Sequence, residues 1–402
     1  MARKMKDSGI EWIGEIPEGW EVATIGHLFS VTAGGDAKPH LYSYVQDAKH
    51  PYPVYTNSSN PNQIYAYTSA PKFNENTITV TGRGDIGHAF YRNTKFDAII
   101  RLLVLAPKSA LDCRYYAYWI DNVSIFFTNS AAVGQLSAQQ IFPYKTCYLP
   151  LCEQQSIANH LDFYCSEIEH ILADIQNSIQ EYKKLKQAVI TQAVTKGVRG
   201  EREMRDSGVE WIGEINHSFS LIKLKYICSI LDQYRKPISA DKRSQTGSVL
   251  YDYYGASGAI DKIDDYTIDD HVMLIGEDGA NLRMRNLPLM YEVNGKAWIN
   301  NHAHILKPTE RVDFYYLFYA LEGLDINPYI TGSAQPKLSQ EKLQNIWVPL
   351  PDFEEQQEIA TYIRSKCAEI DKLIAKKEQL IKELESYKKS LIYEVVTGKR
   401  EV

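Results

Sequence analysis

The chain has 402 residues, is 44% hydrophobic and 23% charged, and carries a formal net charge of −6 at pH 7. This length allows two or three domains with their own cores. The negative charge excludes a uniformly basic nucleic-acid binder, so DNA contacts would have to come from local patches or from partner subunits. The apolar runs are too short to cross a membrane, and the N-terminus lacks a hydrophobic signal core. We therefore expect a cytoplasmic protein without a membrane partner.

A segment at the start of the chain returns near its middle. Residues 5–16 read MKDSGIEWIGEI, and residues 204–215 read MRDSGVEWIGEI. Glu-Gln-Gln at 153–155 likewise returns at 355–357. The offset grows only from 199 residues at the first pair to 202 at the second. The chain is therefore an internal twofold repeat.

Two mixed stretches, residues 17–151 and 216–351, separate the repeated parts. Short apolar runs bounded by Gly, Pro and Asn predict strands, and apolar residues at helical spacing predict helices. The predicted strands are residues 77–80, 99–106, 271–275 and 303–306. The predicted helices are residues 114–121 and 312–321. Each stretch thus indicates a mixed α/β domain.

Each mixed stretch is followed by a long run without Pro or Gly, at residues 153–196 and at about 354–397. Apolar or aromatic residues recur in both runs at steps of mostly three or four, which is typical of a long amphipathic or coiled-coil helix. In the first run they are Ile157, Leu161, Tyr164, Ile168, Ile171, Ile175, Ile179, Tyr182, Leu185 and Val189. Gly197 and Gly398 predict the two helix ends, and Asp352 with Glu355 has the form of a capping box. Neither helix can bury its stripe alone, so we expect the two to pack together.

The sequence therefore predicts an α+β protein with two pseudo-symmetric mixed α/β domains, separated by two long helices in an antiparallel coiled coil. The expected boundaries are residues 1–151 for the first domain, 152–200 for the central helix, 201–351 for the second domain and 352–402 for the C-terminal helix. Antiparallel packing is favoured because twofold pseudo-symmetry across the helix pair generates it.

No catalytic set stands out in the sequence. Residues 327–329 read Asn-Pro-Tyr, which lacks the second proline of an adenine-methylating loop, and no phosphate-binding Gly-x-x-x-x-Gly-Lys-Ser/Thr motif is present. Residues 82–87 fit a dinucleotide fingerprint loosely but are not followed by a helix pattern, so they predict a tight turn, with residues 276–279 as its counterpart. His302 and His304 would need a further ligand to bind metal, so we interpret them as structural. We expect no cofactor and no metal.

The layout resembles the specificity subunit of type I restriction-modification enzymes. The resemblance rests on the repeated entry segment, the Glu-Gln-Gln helix starts and the Leu-Ser lead-in at 338–339. It rests also on residues 251–258 (YDYYGASG), 274–281 (LIGEDGAN) and 300–306 (NNHAHIL). It covers nearly the whole chain and is looser in the first domain.

The resemblance implies that two target recognition domains each read one half of a bipartite double-stranded DNA site. The helices would space the domains and dock two methyltransferase subunits, and restriction-translocase subunits would complete the enzyme. The chain itself would catalyse nothing, and alone it would bind DNA weakly because its net charge is negative. The alternative from another class is a coiled-coil scaffold with two protein-binding domains and no role on DNA.

Base reading calls for Arg, Lys, Asn or Gln on loops, because Arg pairs with guanine and Asn or Gln with adenine. The candidates in the first domain are Lys38, Lys72, Arg83 and Gln135. The candidates in the second domain are Arg235, Lys236, Arg243, Arg283, Arg285 and Lys337. For each of them alone, a solvated surface charge is the favoured interpretation over a base contact, and the set carries more weight than its members.

Overall fold

The structure is a computed structural model that describes residues 3–124, 126, 135–240, 243, 247 and 249–402. The chain divides into two compact units. The first unit comprises residues 1–175 and 378–402, and the second comprises residues 176–377. Each unit therefore holds one mixed domain together with one stretch of each long helix.

The first unit contains two four-stranded sheets. The strands of one sheet, in spatial order, are Phe29–Ala33, Leu103–Pro107, Thr77–Val80 and Ala89–Arg92. Those of the other sheet are Asp97–Ala98, Tyr52–Tyr55, Ile64–Thr68 and Tyr42–Ser43. Two-stranded pairs join Met5–Asp7 to Glu15–Pro17 and Glu21–Thr24 to Lys145–Tyr148. The helices are Ile25–Leu28, the 3-10 turn Pro39–Leu41, Cys113–Asn122, Ala138–Ile141 and the first long helix, Leu151–Lys196, which continues into the second unit.

The second unit has one six-stranded sheet. Its strands, in spatial order, are Cys228–Ile230, Ala303–Pro308, Ile268–Gly276, Met290–Ile299, Tyr251–Gly255 and Gly258–Ile263. Two-stranded pairs join Met204–Asp206 to Glu214–Asn216 and Ser220–Lys223 to Trp347–Leu350. The α-helices are Asn281–Met284, Phe314–Gly323, Gln340–Gln344 and the second long helix, Phe353–Val396, whose C-terminal part belongs to the first unit. Among the described residues, 3-10 turns lie at Leu224–Tyr226, Asp232–Tyr234 and Asn327–Tyr329.

One strand explains why the sheets differ between the units. Met290–Ile299 pairs with Ile268–Gly276 through residue 297, and residues 298 and 299 then pair with Tyr251–Gly255. In the first unit the equivalent strand is broken into Ala89–Arg92 and Asp97–Ala98. The break contains Asn, Thr and Lys, and Asn and Lys favour strands poorly. The same topology therefore gives one continuous sheet in the second unit and two sheets in the first.

In the first unit, the beginning of the first long helix packs antiparallel on the end of the second. Ile157 and Ile168 share a core with Leu391 and Val395 and with the helix Cys113–Asn122. Farther along the first helix, Glu169 Oε1 lies 2.6 Å from Lys388 Nζ of the second helix. Ile157 and Val395 also line one cavity. Residue numbers therefore rise along one helix as they fall along the other.

The second unit repeats this arrangement with the other two helix stretches. Ile190 and Val194 share a core with Ile359 and Ile363. Two ion pairs follow the antiparallel direction. They join Lys186 Nζ to Asp371 Oδ2 at 2.7 Å and Arg199 Nε to Glu358 Oε2 at 2.5 Å. The predicted fold class, with mixed domains and antiparallel long helices, is confirmed.

The structure modifies two details of the sequence prediction. The strand expected at residues 99–106 begins only at Leu103, because Ile100 and Arg101 have left-handed φ angles of 52° and 60°. In the first long helix, three of the ten stripe residues, Tyr164, Ile171 and Leu185, are 44–48% exposed. An α-helix drifts against a fixed sequence repeat, so a stripe chosen by spacing alone leaves the buried face.

The helix ends follow the sequence signals. Gly197 and Gly398 both have positive φ, at 81° and 73°. Asp352 caps the second long helix, since its Oδ1 accepts the Glu355 N–H at 2.8 Å. The Glu355 side chain pairs instead with Arg202 at 3.0 Å, so the capping box is only half formed. None of the helices in the described part of the chain combines the length and the apolar character needed to span a membrane.

Candidate nucleic-acid interface

In the first unit, three chain segments meet beyond the end of one central strand. Arg83 forms an isolated antiparallel β-bridge with Gln135. The Leu136 N–H donates to the carbonyl oxygen of Gly82 at 2.7 Å. A Cβ atom on Gly82 would lie 2.8 Å from the Leu136 oxygen and 3.3 Å from the carbonyl oxygen of Arg101. Because two backbones approach so closely, this position in the first unit requires a glycine.

Asn57 fixes this loop from the side. Its Oδ1 accepts the Gly82 N–H at 2.7 Å, and its Nδ2 donates to the Arg83 carbonyl oxygen at 2.5 Å. One side chain thereby satisfies the polar groups on both sides of the Gly82–Arg83 peptide. The exposed Arg83 side chain is thus carried on a backbone that is held in place.

The other two candidates of the first domain lie elsewhere. Lys38 is exposed and precedes the 3-10 turn Pro39–Leu41. Lys72 is exposed, with its Nζ 5.2 Å from the ring centroid of Phe73. The structure therefore brings Arg83 and Gln135 together and leaves these two lysines on separate loops.

The second unit builds the same junction from different residues. Asp278 forms an isolated β-bridge with Lys337, and the Leu338 N–H donates to the Glu277 carbonyl oxygen at 2.7 Å. The Glu277 N–H donates to the His302 carbonyl oxygen at 2.8 Å. The correspondences are Gly82 with Glu277, Arg83 with Asp278, Arg101 with His302 and Gln135 with Lys337. The turn predicted at residues 82–87 and its predicted counterpart at 276–279 therefore do occupy equivalent places.

A cluster of charged side chains contacts the second junction. Glu277 accepts from Arg235 Nη1 at 2.5 Å and from Lys337 Nζ at 3.1 Å. Arg235 also pairs with Asp232 at 3.1 Å, and Asp232 contacts His304 Nδ1 at 2.6 Å. Burial opposes ionisation of Glu277, but the hydrogen bonds from Arg235 and Lys337 outweigh it and lower its pKa. The Arg235 guanidinium is thus engaged inside the domain, whereas the Lys337 side chain remains 55% exposed.

The two histidines have different surroundings. His304 is 1% exposed, and its Nε2 lies 2.8 Å from the Leu338 carbonyl oxygen. His302 precedes the strand, is 49% exposed at its side chain, and pairs with Asp278 at 2.7 Å. They therefore do not project from one strand face as a ligand pair would. Among the described residues, no group of three or more His, Cys, Asp or Glu side chains is arranged to hold a metal ion.

The remaining candidates of the second domain also have internal contacts. Lys236 is exposed, with its Nζ 5.4 Å from the Trp298 ring centroid. Arg243 pairs with Asp261 at 2.8 Å. Arg283 is exposed, and its Nη2 donates to the Ile330 carbonyl oxygen at 3.2 Å. None of these three lies at the Asp278–Lys337 junction.

Arg285 closes a helix. It has a φ of 50°, and it donates to the carbonyl oxygens of Glu322 at 2.6 Å and Leu324 at 2.7 Å, at the end of the helix Phe314–Gly323. Burial lowers the pKa of its guanidinium. Its donors satisfy carbonyl groups that a helix end leaves free. A base contact by this residue stays a prediction.

Two residues at the first junction were not among the sequence candidates. Asn57 and Arg101 are far from Arg83 and Gln135 in the chain, and no local motif marks them. Aligning the two halves of the repeat on the His302 segment would have pointed to Arg101. The weak similarity of the two mixed stretches hid that alignment.

Comparisons with known proteins point to one family. The family model described as "Type I restriction modification DNA specificity domain" matches residues 17–181 and 217–386. The type I restriction enzyme MjaVIII specificity subunit of Methanocaldococcus jannaschii is 23% identical over 413 aligned positions, covering 96% of this chain and 93% of that protein. A protein of Haemophilus influenzae named as a type I restriction enzyme specificity subunit is 30% identical over 168 residues, which span 42% of this chain and 40% of that protein.

One solved structure shares the fold. It is a chain from work on complex assembly and conformational transition of the type I R-M system. The two chains superpose with a TM-score of 0.71 and 12% sequence identity, covering 95% of this chain and 98% of that one.

Proposed function

Because this chain belongs to the family of type I restriction-modification DNA specificity subunits, we propose that each of its two domains reads one half of a bipartite double-stranded DNA target. The observation that carries this proposal is the repeated junction. Arg83–Gln135 and Asp278–Lys337 are the same β-bridge in two domains, and the side chains of Arg83, Gln135 and Lys337 are exposed at these bridges, whereas that of Asp278 is 23% exposed.

The side chains at the two junctions suit different bases. Arg donates two parallel hydrogen bonds to guanine, and Gln pairs with adenine, so Arg83 and Gln135 favour purines of the first half-sequence. In the second domain Asp278 is engaged by His302, so the exposed Lys337, which can donate to guanine, is the side chain suited to base reading there. The two halves of the target should therefore differ, as expected for an asymmetric site.

The other exposed candidates have a positioning role in this proposal. Lys38, Lys72, Lys236 and Arg283 form neither β-bridge and would contact phosphates, which fixes the register on DNA without reading bases. Arg235, Arg243 and Arg285 are engaged by carboxylates or carbonyl oxygens of the chain itself. They would contribute mainly by holding the reading loops.

We further infer that the long helices set the distance between half-sequences and dock two methyltransferase subunits. Large apolar side chains remain exposed on both helices, among them Phe163 at 60%, Ile171 at 46% and Tyr362 at 41%. Apolar residues exposed on a helix are characteristic of protein interfaces. Restriction-translocase subunits would join through that complex, and the present chain would supply specificity without catalysis.

The test is methylation mapping in the native host by single-molecule sequencing. We expect a bipartite motif that disappears when the gene is deleted. Removing one heptad from each long helix, near Ile175 and Lys377, preserves the helical pattern and should shorten the unread gap while leaving both half-sequences unchanged. Unchanged methylation after gene deletion would favour a scaffold without a DNA role. Retention of the original spacing by the shortened variant would refute the spacing role alone.

A further inference from the structure

We propose that Arg101 is a DNA-binding residue of the first domain and forms a cationic pair with Arg83. The pair would bind hydrogen-bond acceptors in the first half-sequence, at a guanine edge or a phosphate. This inference rests on the proposed function and adds to it a specificity-determining residue from a separate turn.

The backbone places Arg101 at the reading junction. Its carbonyl oxygen lies 3.3 Å from the position that a Cβ of Gly82 would occupy, and Arg83 is the next residue. In the second domain the equivalent His302 accepts a backbone hydrogen bond from Glu277, the equivalent of Gly82. Arg101 and Arg83 therefore stand where the second domain has His302 and Asp278.

The charges at these two positions differ between the domains. In the second domain, His302 Nδ1 and Asp278 Oδ2 are 2.7 Å apart, so the side chains satisfy each other. Arg83 and Arg101, at the same two places in the first domain, carry like charges that repel each other, so they cannot satisfy each other as His302 and Asp278 do. In the part of the chain that the structure describes, neither the Arg83 nor the Arg101 guanidinium has a carboxylate within 4.0 Å, and both side chains are exposed. We therefore expect the Arg83 and Arg101 guanidiniums to take a hydrogen-bond acceptor from outside the chain.

The turn that carries Arg101 is also strained. Ile100 and Arg101 are consecutive non-glycine residues with φ of 52° and 60°. Ile100 is β-branched and 49% exposed, so burial of its side chain does not explain the conformation. The Ile100 N–H donates to the Gly35 carbonyl oxygen at 3.0 Å, and the Leu102 N–H donates to that of Ile99 at 3.2 Å. Strain of this kind concentrates at binding sites, where it presents a side chain in a fixed direction.

The chemistry fits DNA acceptors. A guanidinium offers five donors in a planar fork, which matches guanine O6 and N7 or two phosphate oxygens. Gln135, bridged to Arg83, adds an amide that can donate and accept beside the fork. The second domain, with the internally paired His302 and Asp278 at the same place, should depend less on positive charge there.

The experiment measures binding of the full chain, in complex with the methyltransferase of its host, to a duplex carrying the mapped target. Arg101→Asn removes the charge, and Asn tolerates a left-handed backbone, so the turn should persist. Lys95→Asn is the matched control. It also removes one positive charge. Lys95 follows Arg92, which pairs with Thr77, so it lies at the end of this strand pair that is opposite to Gly82.

We expect Arg101→Asn to weaken binding about tenfold, which corresponds to one lost bidentate contact, and Lys95→Asn to change it less than twofold. If Arg101 contacts a guanine, the affinity is lost only for duplexes that carry that base pair of the first half-sequence, and the variant no longer discriminates at that pair. For a phosphate contact, the loss is uniform across sequence variants, and the slope of log K against log salt decreases by about 0.9. Either pattern supports the proposal.

Arg101→Asn binding within twofold of wild type would overturn it. The Arg101→Asn variant should unfold at the same temperature as the wild type and should still discriminate in the second half-sequence. A variant with a lower unfolding temperature and no discrimination in the second half-sequence is misfolded. In that case the single variant Arg101→His, which installs the residue that the second domain has at this position and tolerates a left-handed backbone, gives the answer, since it should fold and weaken first-half recognition. A wild-type complex without preference for the mapped target would instead refute the proposed function.

Discussion

The two units share the contacts by which each domain meets its helices, but they differ in the side chains at the Arg83–Gln135 and Asp278–Lys337 junctions. In the first unit, the buried Gln154 accepts the Asp112 N–H at 2.9 Å and donates to the Leu149 carbonyl oxygen at 2.8 Å. In the second, Gln356 makes the corresponding bonds to Asp313 at 2.9 Å and to Pro351 at 3.0 Å. Each glutamine joins the start of a long helix to the start of a domain helix.

At the junctions two backbone contacts are kept, and the side chains change. Both domains have the same β-bridge and the same 2.7 Å backbone hydrogen bond from Leu136 or Leu338. The first domain presents Arg83 and Arg101, whereas the second presents Asp278 and His302. The backbone frame is therefore constrained by hydrogen bonding, while the exposed side chains are free to differ in chemistry. That difference is what a reader of two unlike half-sequences needs.

Replacing the framework glutamines should have the largest effect on stability. Gln154→Leu leaves a buried N–H and a buried carbonyl without partners, and we expect a loss of about 2–4 kcal/mol in the free energy of unfolding. Gln356→Leu should cost the same. The adjacent exposed residues give matched controls, Gln155→Leu and Gln357→Leu, which should change little. Denaturant titration measures all four, and a silent Gln356→Leu would show that the two frameworks are not equivalent.

Glu277→Gln tests the charged cluster that only the second junction has. Loss of the charge-assisted hydrogen bonds should lower the unfolding free energy at pH 7 by about 2 kcal/mol. The pKa of Glu277 is lower in the folded chain than its ordinary 4.5. Its stabilisation is therefore complete above the unfolded pKa and disappears as pH falls through the folded one. Unfolding measured from pH 7 to pH 3 should show a shallower decline for this variant.

The exposed Glu310→Gln serves as the control for that series, because no hydrogen bond or ion pair involves its side chain in the described structure. If the unfolding free energy of Glu277→Gln and that of the wild type depend on pH in the same way, Glu277 does not contribute to the loss of stability in acid. The first domain has Gly82 at this place and should contribute no such component.

The smallest expected effect concerns the strained turn of the first domain. Ile100→Asn should raise the unfolding free energy by about 1 kcal/mol, since Asn relieves part of the left-handed penalty. Ile64, 38% exposed at the start of the strand Ile64–Thr68, is the matched control, and Ile64→Asn should give no gain. Thermal unfolding distinguishes the two variants. A destabilised Ile100→Asn would mean that the isoleucine side chain, and not backbone strain, governs this turn.

Much of the architecture could be predicted from sequence because it depends on periodic or repeated signals. The long helices end at Gly197 and Gly398 as expected, and the strand at Thr77–Val80 has the predicted bounds. The strand at 99–106 was predicted too long, because an apolar run such as Ile99–Ile100 carries no sign of a left-handed turn. Of the reading candidates, Arg83 and Gln135 are brought together, but no local pattern indicated that Arg101 joins them.

The sequence by itself determined the internal repeat, the two mixed domains and the two long helices, because side-chain periodicity and glycine stops act over neighbouring residues. Only the tertiary structure decided which side chains meet at the junctions. Arg83, Arg101 and Gln135 come from three separate segments, and hydrogen bonds between backbones far apart in the chain bring those segments together. Such contacts depend on the register of whole strands, which no single segment of sequence specifies.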